Sequence, residues 1–286
     1  MSVAIIIVNY NGLADTLDCI KSVKKDSMSA TIFVVDNGSR LDESVAIKEH
    51  FPEVRTIRSD VNLGFAGGNN VAIKEALKEN FDYIMLLNND TVIDERMIEN
   101  LFEIANDHTV ALPNMYYFDY PDTLWFGGGK IHRFCGKVSH LQNVSTVPYE
   151  INFATGCCFL AYRSIFEKVG LLNEDYFMYC EDVDFSIRLI QAGITIKMVP
   201  NAKLWHKVAK SSPKNGSAFR IYYNTRNRLL LTKTFSDFFS VWTNLYIRIV
   251  SKIKMYLAKR KKEISIYDAY KKAMFDFKSG NFGKGI

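Results

Sequence analysis

Apolar residues in this chain fall into short unbroken runs separated by stretches in which they recur every three or four positions. Val3 to Val8, Thr31 to Val35 and Tyr83 to Leu87 are continuous rather than alternating, the pattern of strands covered on both faces. Between and after them, Leu13 to Val23 places Leu13, Leu17, Ile20 and Val23 on one side of a helix, and Phe65 to Leu77 does the same with Val71, Ile73 and Leu77. Met97 to Ile104 follows as a shorter helix, and Val54 to Ile57 as a weaker strand. This alternation predicts an α/β domain on a mostly parallel sheet with right-handed crossovers.

From about 116 to 149 the pattern becomes irregular around Gly127-Gly128-Gly129, as expected of an inserted hairpin or acceptor loop. Gly156 to Tyr162 reads as a buried strand, Glu181 to Gln191 as a helix closed by Gly193, and Ile194 to Val199 as the next strand. Beyond Pro200 the character changes, with helices expected at Tyr222 to Leu231, Phe235 to Lys259 and Ile266 to Phe277. The expected division is a catalytic-size unit at 1–230 and a basic, amphipathic helical extension at 231–286.

With 286 residues and 48% hydrophobic content, the chain can bury one substantial core. A net charge of +5 is mild for nucleic-acid binding, no module for that purpose is present, and nucleic acid is excluded as a partner. The basic surplus lies after Leu231, where Arg248, Lys252, Lys254, Lys259, Arg260, Lys261 and Lys262 crowd among aromatics. Five cysteines without CxxC spacing suggest neither a disulfide framework nor a thiolate zinc site, and fit a reducing compartment. The first strand begins too early for a signal peptide, and no run would span a bilayer, so a cytoplasmic protein with any membrane contact at the surface is expected.

Open parallel sheets bind ligands outside the carboxyl ends of their strands, where loops diverge and helix N-termini present unpaired N–H groups. Asn9, Tyr10, Asp36 and Asp90 fall at such ends. Tyr10 could stack on a base, and Asp36 could accept hydrogen bonds from a base imide or ribose hydroxyl. Turns at Asn11-Gly12 and Asn37-Gly38, with Asp36 as a cap, explain the same residues. The glycine-rich stretch Asn62 through Asn70 would let backbone approach a ligand closely or pack helix on strand. It is neither GxGxxG nor a P-loop, which removes the main support for hydride transfer and ATP hydrolysis. Asn88-Asn89-Asp90 suits either a hard divalent cation bridging a diphosphate or a polar turn.

Glu181, Asp182 and Asp184 open a helix, where the dipole favours carboxylates whatever their role. Three acids in four positions, preceded by Tyr176-Phe177-Met178-Tyr179, suggest an enclosed site in which a carboxylate takes a proton from a hydroxyl. Successive helical positions diverge by about 100°, so only one of Glu181 and Asp182 is expected to face the reaction centre. His206, after Leu204-Trp205 at a strand exit, is either a metal ligand or a structural histidine.

In this order, several segments together resemble family 2 glycosyltransferases of the GT-A fold, rhamnosyltransferase-like branch. They are Val8-Asn9-Tyr10-Asn11-Gly12, Val35-Asp36-Asn37-Gly38-Ser39, Asn62 through Asn70, Leu87-Asn88-Asn89-Asp90-Thr91, Gly156-Cys157, Tyr179 through Asp184 with Arg188, Trp205-His206, and Tyr222-Tyr223-Asn224-Thr225-Arg226-Asn227. The resemblance spans roughly residues 1 to 230 and implies a Rossmann-like, mostly parallel sheet flanked by helices. It implies inverting transfer from a nucleotide diphosphate sugar, rhamnose-like or hexose, to a hydroxyl of a glycan or lipid-linked acceptor in cell-surface polysaccharide synthesis.

By position, the resemblance gives Asn9, Tyr10 and Asp36 to the nucleoside and Asn62, Gly64 and Asn89 to the donor. Asp90 would contact a metal-diphosphate containing Mn²⁺ or Mg²⁺, with His206 as a further metal ligand and Arg226 touching phosphate. Asp182 would be the general base, with Glu181 assisting it or binding acceptor. The usual Asp-X-Asp is here Asn88-Asn89-Asp90, leaving one carboxylate. A sugar-phosphate nucleotidyltransferase shares such a sheet, but its Gly-X-Gly-Thr-Arg signature is missing, and a non-catalytic sugar-nucleotide binding subunit is the other alternative.

Phe235, Phe238, Phe239, Trp242, Leu245, Tyr246, Ile249, Ile253 and Tyr256, interleaved with basic residues, suit a helix lying on an anionic membrane surface. Packing against the catalytic unit or a partner subunit, including a second copy in a homo-oligomer, explains them as well.

Overall fold

The computed structural model describes residues 2–142, 145–208 and 216–286. Its first half follows the expected alternation through β1 (Val3–Asn9), α1 (Leu13–Val23), β2 (Thr31–Asn37), α2 (Glu43–His50), β3 (Arg55–Ser59), α3 (Gly64–Lys78) and β4 (Tyr83–Leu87). These strands lie parallel in the order β3-β2-β1-β4. Ile5, Ile6, Ile7, Val34, Val35, Ile84, Met85 and Leu86 are fully buried, as continuous apolar strands between helical layers require. Helix α2 escapes the periodicity because only Ser44 and Ile47 are buried on it, too few for an apolar stripe. Its start is set locally by Asp42, whose side chain accepts from the Ser44 N–H at 3.1 Å.

The second half comprises β5 (Thr91–Ile93), α4 (Met97–Phe102), β6 (Thr109–Tyr117), β7 (Leu124–Phe126), β8 (Gly129–His132), β9 (Lys137–His140), β10 (Tyr149–Ile151), β11 (Cys158–Tyr162), α5 (Arg163–Val169), α6 (Glu181–Gln191) and β12 (Thr195–His206). Strand β11 runs antiparallel between β4 and β6, and β12 lies parallel to β6. The six long strands β1 to β4, β6 and β12 therefore share one direction, and β11 and β10 run against them. The irregular stretch contains the expected hairpin, formed by β8 and β9.

Strand β12 does not stop at Val199. It continues through Pro200 to His206 by way of a register shift between Val199 and Lys203, the kind of bulge that lets a strand accommodate a residue without an N–H. That continuation carries His206 alongside β5, which begins immediately after Asp90.

Three helices complete the chain: α7 (Gly216–Thr234), α8 (Thr243–Arg260) and α9 (Ile264–Ser279). Helix α7 packs on both α8 and α9. The expected division after residue 230 falls inside α7, so the junction is helical rather than a linker. Phe235, Phe238 and Phe239 are buried in the main core and are unavailable to a membrane surface.

Candidate active site

Strand order reverses between β1 and β4, and the loops beyond their carboxyl ends diverge there, as the topology of open α/β sheets requires. A cleft of about 400 Å³ occupies this place, a size usual for small-molecule sites. Tyr10, Asn11 and Gly12 line it from the loop after β1, Asn37 from the end of β2, and Asn62, Gly64 and Phe65 from the start of α3. Asn88, Asn89 and Asp90 follow β4, while Thr155, Gly156, Cys157, Tyr179, Glu181 and Asp182 close the other wall. Trp125 and His206, brought in by β7 and β12, complete the lining; Trp125 packs edge-on against the His206 ring with centroids 4.6 Å apart. The aromatic residue at 125 carried no signal in the sequence, since only the β6–β7 pairing brings it beside His206.

Two glycines are there for space. A side chain at Gly64 (φ 76°) would strike the Phe177 carbonyl oxygen at 2.2 Å, and one at Gly12 would meet the Asn89 amide at 2.7 Å. Asn62 accepts from the Gly64 N–H at 2.8 Å, and Asn89 donates to the Thr16 hydroxyl at 3.0 Å, so both side chains also shape the loops they stand on.

Asp90 and His206 meet in the cleft, His206 Nε2 lying 3.1 Å from Asp90 Oδ1 with both side chains buried. Among the described residues neither carboxylate oxygen and neither ring nitrogen makes an aligned hydrogen bond, so beyond that one ion pair these buried atoms are left for a ligand to complete. Burial opposes protonation of His206, while the neighbouring Cys157 sulfur and the Asp90 carboxylate favour it, and the net effect pushes it up to about 10. Burial also raises the Cys157 thiol above its ordinary value. Among the described residues no group of three or more His, Cys, Asp or Glu could hold a metal by itself.

Glu181 and Asp182 both line the cleft, contrary to the expectation that only one would. The chain enters α6 through a left-handed Cys180 (φ 77°), so the first two helical positions are set by the loop as much as by the helical turn. Asp182 accepts from the Val183 N–H at 2.9 Å and the Gly156 N–H at 3.3 Å. Burial pushes its carboxyl up to about 6, with these backbone donors partly offsetting the effect. Glu181 is raised well above the usual carboxylate range by burial and by the Asp182 charge, and its Oε2 has no hydrogen-bond partner among the described residues. Both carboxyls are therefore raised, Asp182 to about 6 and Glu181 well above its ordinary range, and unequal environments of this kind separate acid from base roles. Asp184, the third acid of the cluster, is turned away: it pairs with Arg188 at 2.7 Å and accepts from the Tyr176 hydroxyl at 3.2 Å.

Three residues expected to touch ligand stand behind the wall instead. Asp36 is fully buried, and its oxygens are taken by Arg58, the Glu43 N–H at 3.0 Å, the Ser39 N–H at 3.3 Å and Asn9 at 3.3 Å. Asn9 is also fully buried, donating to Glu43 at 2.8 Å and accepting from Thr16 at 2.8 Å. Together they brace the loops that present Tyr10 and Asn37.

Arg226 does not reach the cleft. It is fully buried and donates to the backbone carbonyls of Gly283 (2.8 Å), Tyr176 (3.1 Å) and Asp175 (3.2 Å). Its neighbour Asn227 donates to the same Tyr176 carbonyl at 2.9 Å and to two more, Met178 at 2.8 Å and Tyr179 at 2.7 Å. These bonds hold a loop with positive φ at Phe177, Tyr179 and Cys180, conformations that side-chain-bearing residues keep only when their surroundings impose them. Helix α7 thus sets the approach to Glu181 and Asp182 by clamping the segment before them.

The profile of Glycosyl transferase family 2 matches residues 4–170, more than half of the chain, and ends before Asp182 and His206. A low-salt glycan biosynthesis hexosyltransferase of Haloferax volcanii is 28% identical over 243 residues, covering 81% of this chain and 75% of that protein. A dTDP-rhamnosyl transferase of Shigella flexneri is 22% identical over 237 residues, covering 80% and 79%. Among solved structures, GalNAc-T7 with UDP, GalNAc and Mn²⁺ superposes with a TM-score of 0.65 at 16% identity, over 82% of this chain and 48% of that one. The S. aureus TarS 1-349 complex with UDP gives 0.54 at 13% identity, over 98% and 92%. The structural likeness shows the GT-A architecture, and the sequence match shows that this chain belongs to glycosyl transferase family 2.

Proposed function

We propose that the cleft binds a nucleotide diphosphate sugar and that Asp182 takes the proton from an acceptor hydroxyl as its oxygen attacks the anomeric carbon, inverting that centre. The observation that carries this reading is one carboxylate, ionising near pH 6, in the same cleft as the Asp90–His206 pair. Tyr10, half exposed at the cleft, offers a face on which a base stacks, and Asn62 lines the same cleft within reach of the nucleoside. The neighbouring Glu181, whose raised carboxyl favours its protonated form, then donates a hydrogen bond to an acceptor hydroxyl while Asp182 accepts one.

Asp90 and His206 are the residues that would hold a divalent cation, which would take the place of the His206 proton; the buried 3.1 Å approach of a ring nitrogen to a carboxylate oxygen, with no aligned hydrogen bond on either side chain among the described residues, fits that role. Two protein ligands leave room for phosphate oxygens. Bound there, the cation supplies neutralisation of the charge on the departing diphosphate.

Nucleotide sugars tested as a panel for protein-dependent release of nucleoside diphosphate, with and without Mn²⁺ or Mg²⁺, check this reading. With the active donor, kcat/KM should climb between pH 5 and 7 and level off above the Asp182 pKa of about 6, because the ionised form is the base. A rate that falls over that interval, or no release from any donor, would remove Asp182 and the cleft from these roles.

The reading extends to the outer face of α8. Trp242, Leu245, Ile249, Ile253 and Tyr256, three or four residues apart, are between 47% and 63% exposed, beside the basic Arg248, Lys252, Lys259 and Arg260. Such a face suits contact with anionic lipid, while the opposite side of α8 buries Ile247, Ser251 and Ala258. Among the described residues no helix is long and apolar enough to cross a membrane. Replacing Ile249 and Ile253 with Glu should cut recovery in flotation with phosphatidylglycerol liposomes at least fivefold and leave unfolding unchanged; equal recovery would count against the surface contact.

A further inference from the structure

Tyr179, Glu181 and Asp182 line a second cavity as well, of about 480 Å³. These three residues are all that it shares with the donor cleft; its remaining walls come from the β8–β9 hairpin, Phe153, α6, α7, α8 and Tyr270 of α9. Displacement with inversion brings the acceptor oxygen to the anomeric carbon from the side opposite the departing diphosphate. An acceptor must then come to Asp182 from a direction other than that of Asp90 and His206, and this cavity meets Asp182 from outside the cleft.

Its charge is uneven. Lys137, Arg220, Arg228 and Lys254 line it, and its only acids are Glu181 and Asp182 at the shared end. None of the four basic side chains forms an ion pair among the described residues. Arg228 is half-buried and held in place by its Nε donating to the Gly136 carbonyl at 3.2 Å and its Nη2 to the Cys135 carbonyl; Nη1 makes no hydrogen bond among the described residues. A half-buried guanidinium facing further cations and no counter-ion is unfavourable until a ligand brings negative charge. Tyr246 and Ile247 add apolar surface beside it.

Resting on the glycosyltransferase reading, we infer that this second cavity is the acceptor site and that it takes a saccharide bearing a phosphate or diphosphate group, held by Arg220, Arg228 and Lys254 while its hydroxyl reaches Asp182. The cavity then explains why α7 and α8 are part of the enzyme: α7 clamps the loop before the base and, with α8, supplies the cations.

The test uses full-length protein with the donor cleft saturated by UDP or dTDP. Inorganic pyrophosphate, a short isoprenyl diphosphate and glucose 1-phosphate are titrated separately by calorimetry. Binding of a phosphate probe beyond the nucleoside diphosphate is expected, at least tenfold weaker in Arg220→Ala/Lys254→Ala, in which both replaced side chains are exposed. Tighter binding of the isoprenyl compound than of pyrophosphate would identify a lipid-borne diphosphate, and equal binding a recognition of the phosphate alone; both outcomes support the site. No binding of any probe beyond the donor, or equal affinity in the double variant, overturns it. Failure of the donor reading shows separately, as UDP and dTDP that do not bind.

Discussion

Asp182→Asn is expected to lower transfer by about 10²- to 10⁴-fold, the contribution of a positioned general base, while nucleoside diphosphate affinity stays within about twofold. Asparagine preserves the shape but has one side-chain oxygen, so it keeps the shorter bond from the Val183 N–H and gives up the longer one from Gly156; the loss in rate then reports chiefly the missing proton transfer. The variant also has a stability signature. The folded protein holds the Asp182 proton up to about pH 6, whereas the unfolded chain releases it near 3.8. Between those values the folded state binds more protons, so stability falls as pH rises through this window and the deficit persists above pH 6. Asparagine carries no such penalty, which offsets the lost acceptor for the Gly156 N–H, and Asp182→Asn should unfold close to the parent temperature at pH 7.5. Steady-state transfer, donor titration and thermal unfolding together decide the matter: unchanged transfer removes the base, and a large drop in unfolding temperature would show that Asp182 is chiefly structural.

Asn227→Ala should be the most damaging change outside the cleft. It strips the side-chain donor from the Met178 and Tyr179 carbonyls in the segment that leads into Asp182, while the Tyr176 carbonyl keeps Arg226, and each buried acceptor left unsatisfied costs roughly 1–3 kcal/mol. Against a total stability of about 5–15 kcal/mol the unfolding midpoint should fall clearly. With its clamp gone, the strained Phe177–Cys180 backbone relaxes and Asp182 shifts. A displacement on the order of 1 Å is enough to cost about 10²-fold in rate, so kcat should drop while donor affinity changes little, because Tyr10, Asn37 and Asp90 stand on other loops. Measured at a temperature where the variant is fully folded, a parental kcat would show that the loop keeps its shape without Asn227.

Helix α7 also shows why the roles of Arg226 and Asp36 could not be read from residue type. A guanidinium near the end of a catalytic unit suits phosphate, and a carboxylate at a strand end suits a ribose. In the folded chain both are sealed by neighbours, Arg226 by the carbonyls of Asp175, Tyr176 and Gly283, and Asp36 by Arg58 and the loop into α2. Their chemistry is directed inward, to the loops that carry the site.

The family resemblance assigned Asn89, Glu181, Asp182 and His206 to one site; what the sequence determined by itself is the layout of β1 to β4, α1 and α3, with Tyr10 and Asp90 at the carboxyl ends of their strands. Those depend on local information: unbroken apolar runs make doubly covered strands, and polar residues at their carboxyl ends meet wherever a parallel sheet reverses its order. Only the tertiary structure decided that β12 carries on past Pro200 to set His206 beside Asp90, and that both Glu181 and Asp182 face the ligand space. It also decided that the C-terminal helices hold the base in place. Each of these turns on contacts between residues tens of positions apart, whose burial and hydrogen-bond partners exist only once the chain has closed on itself.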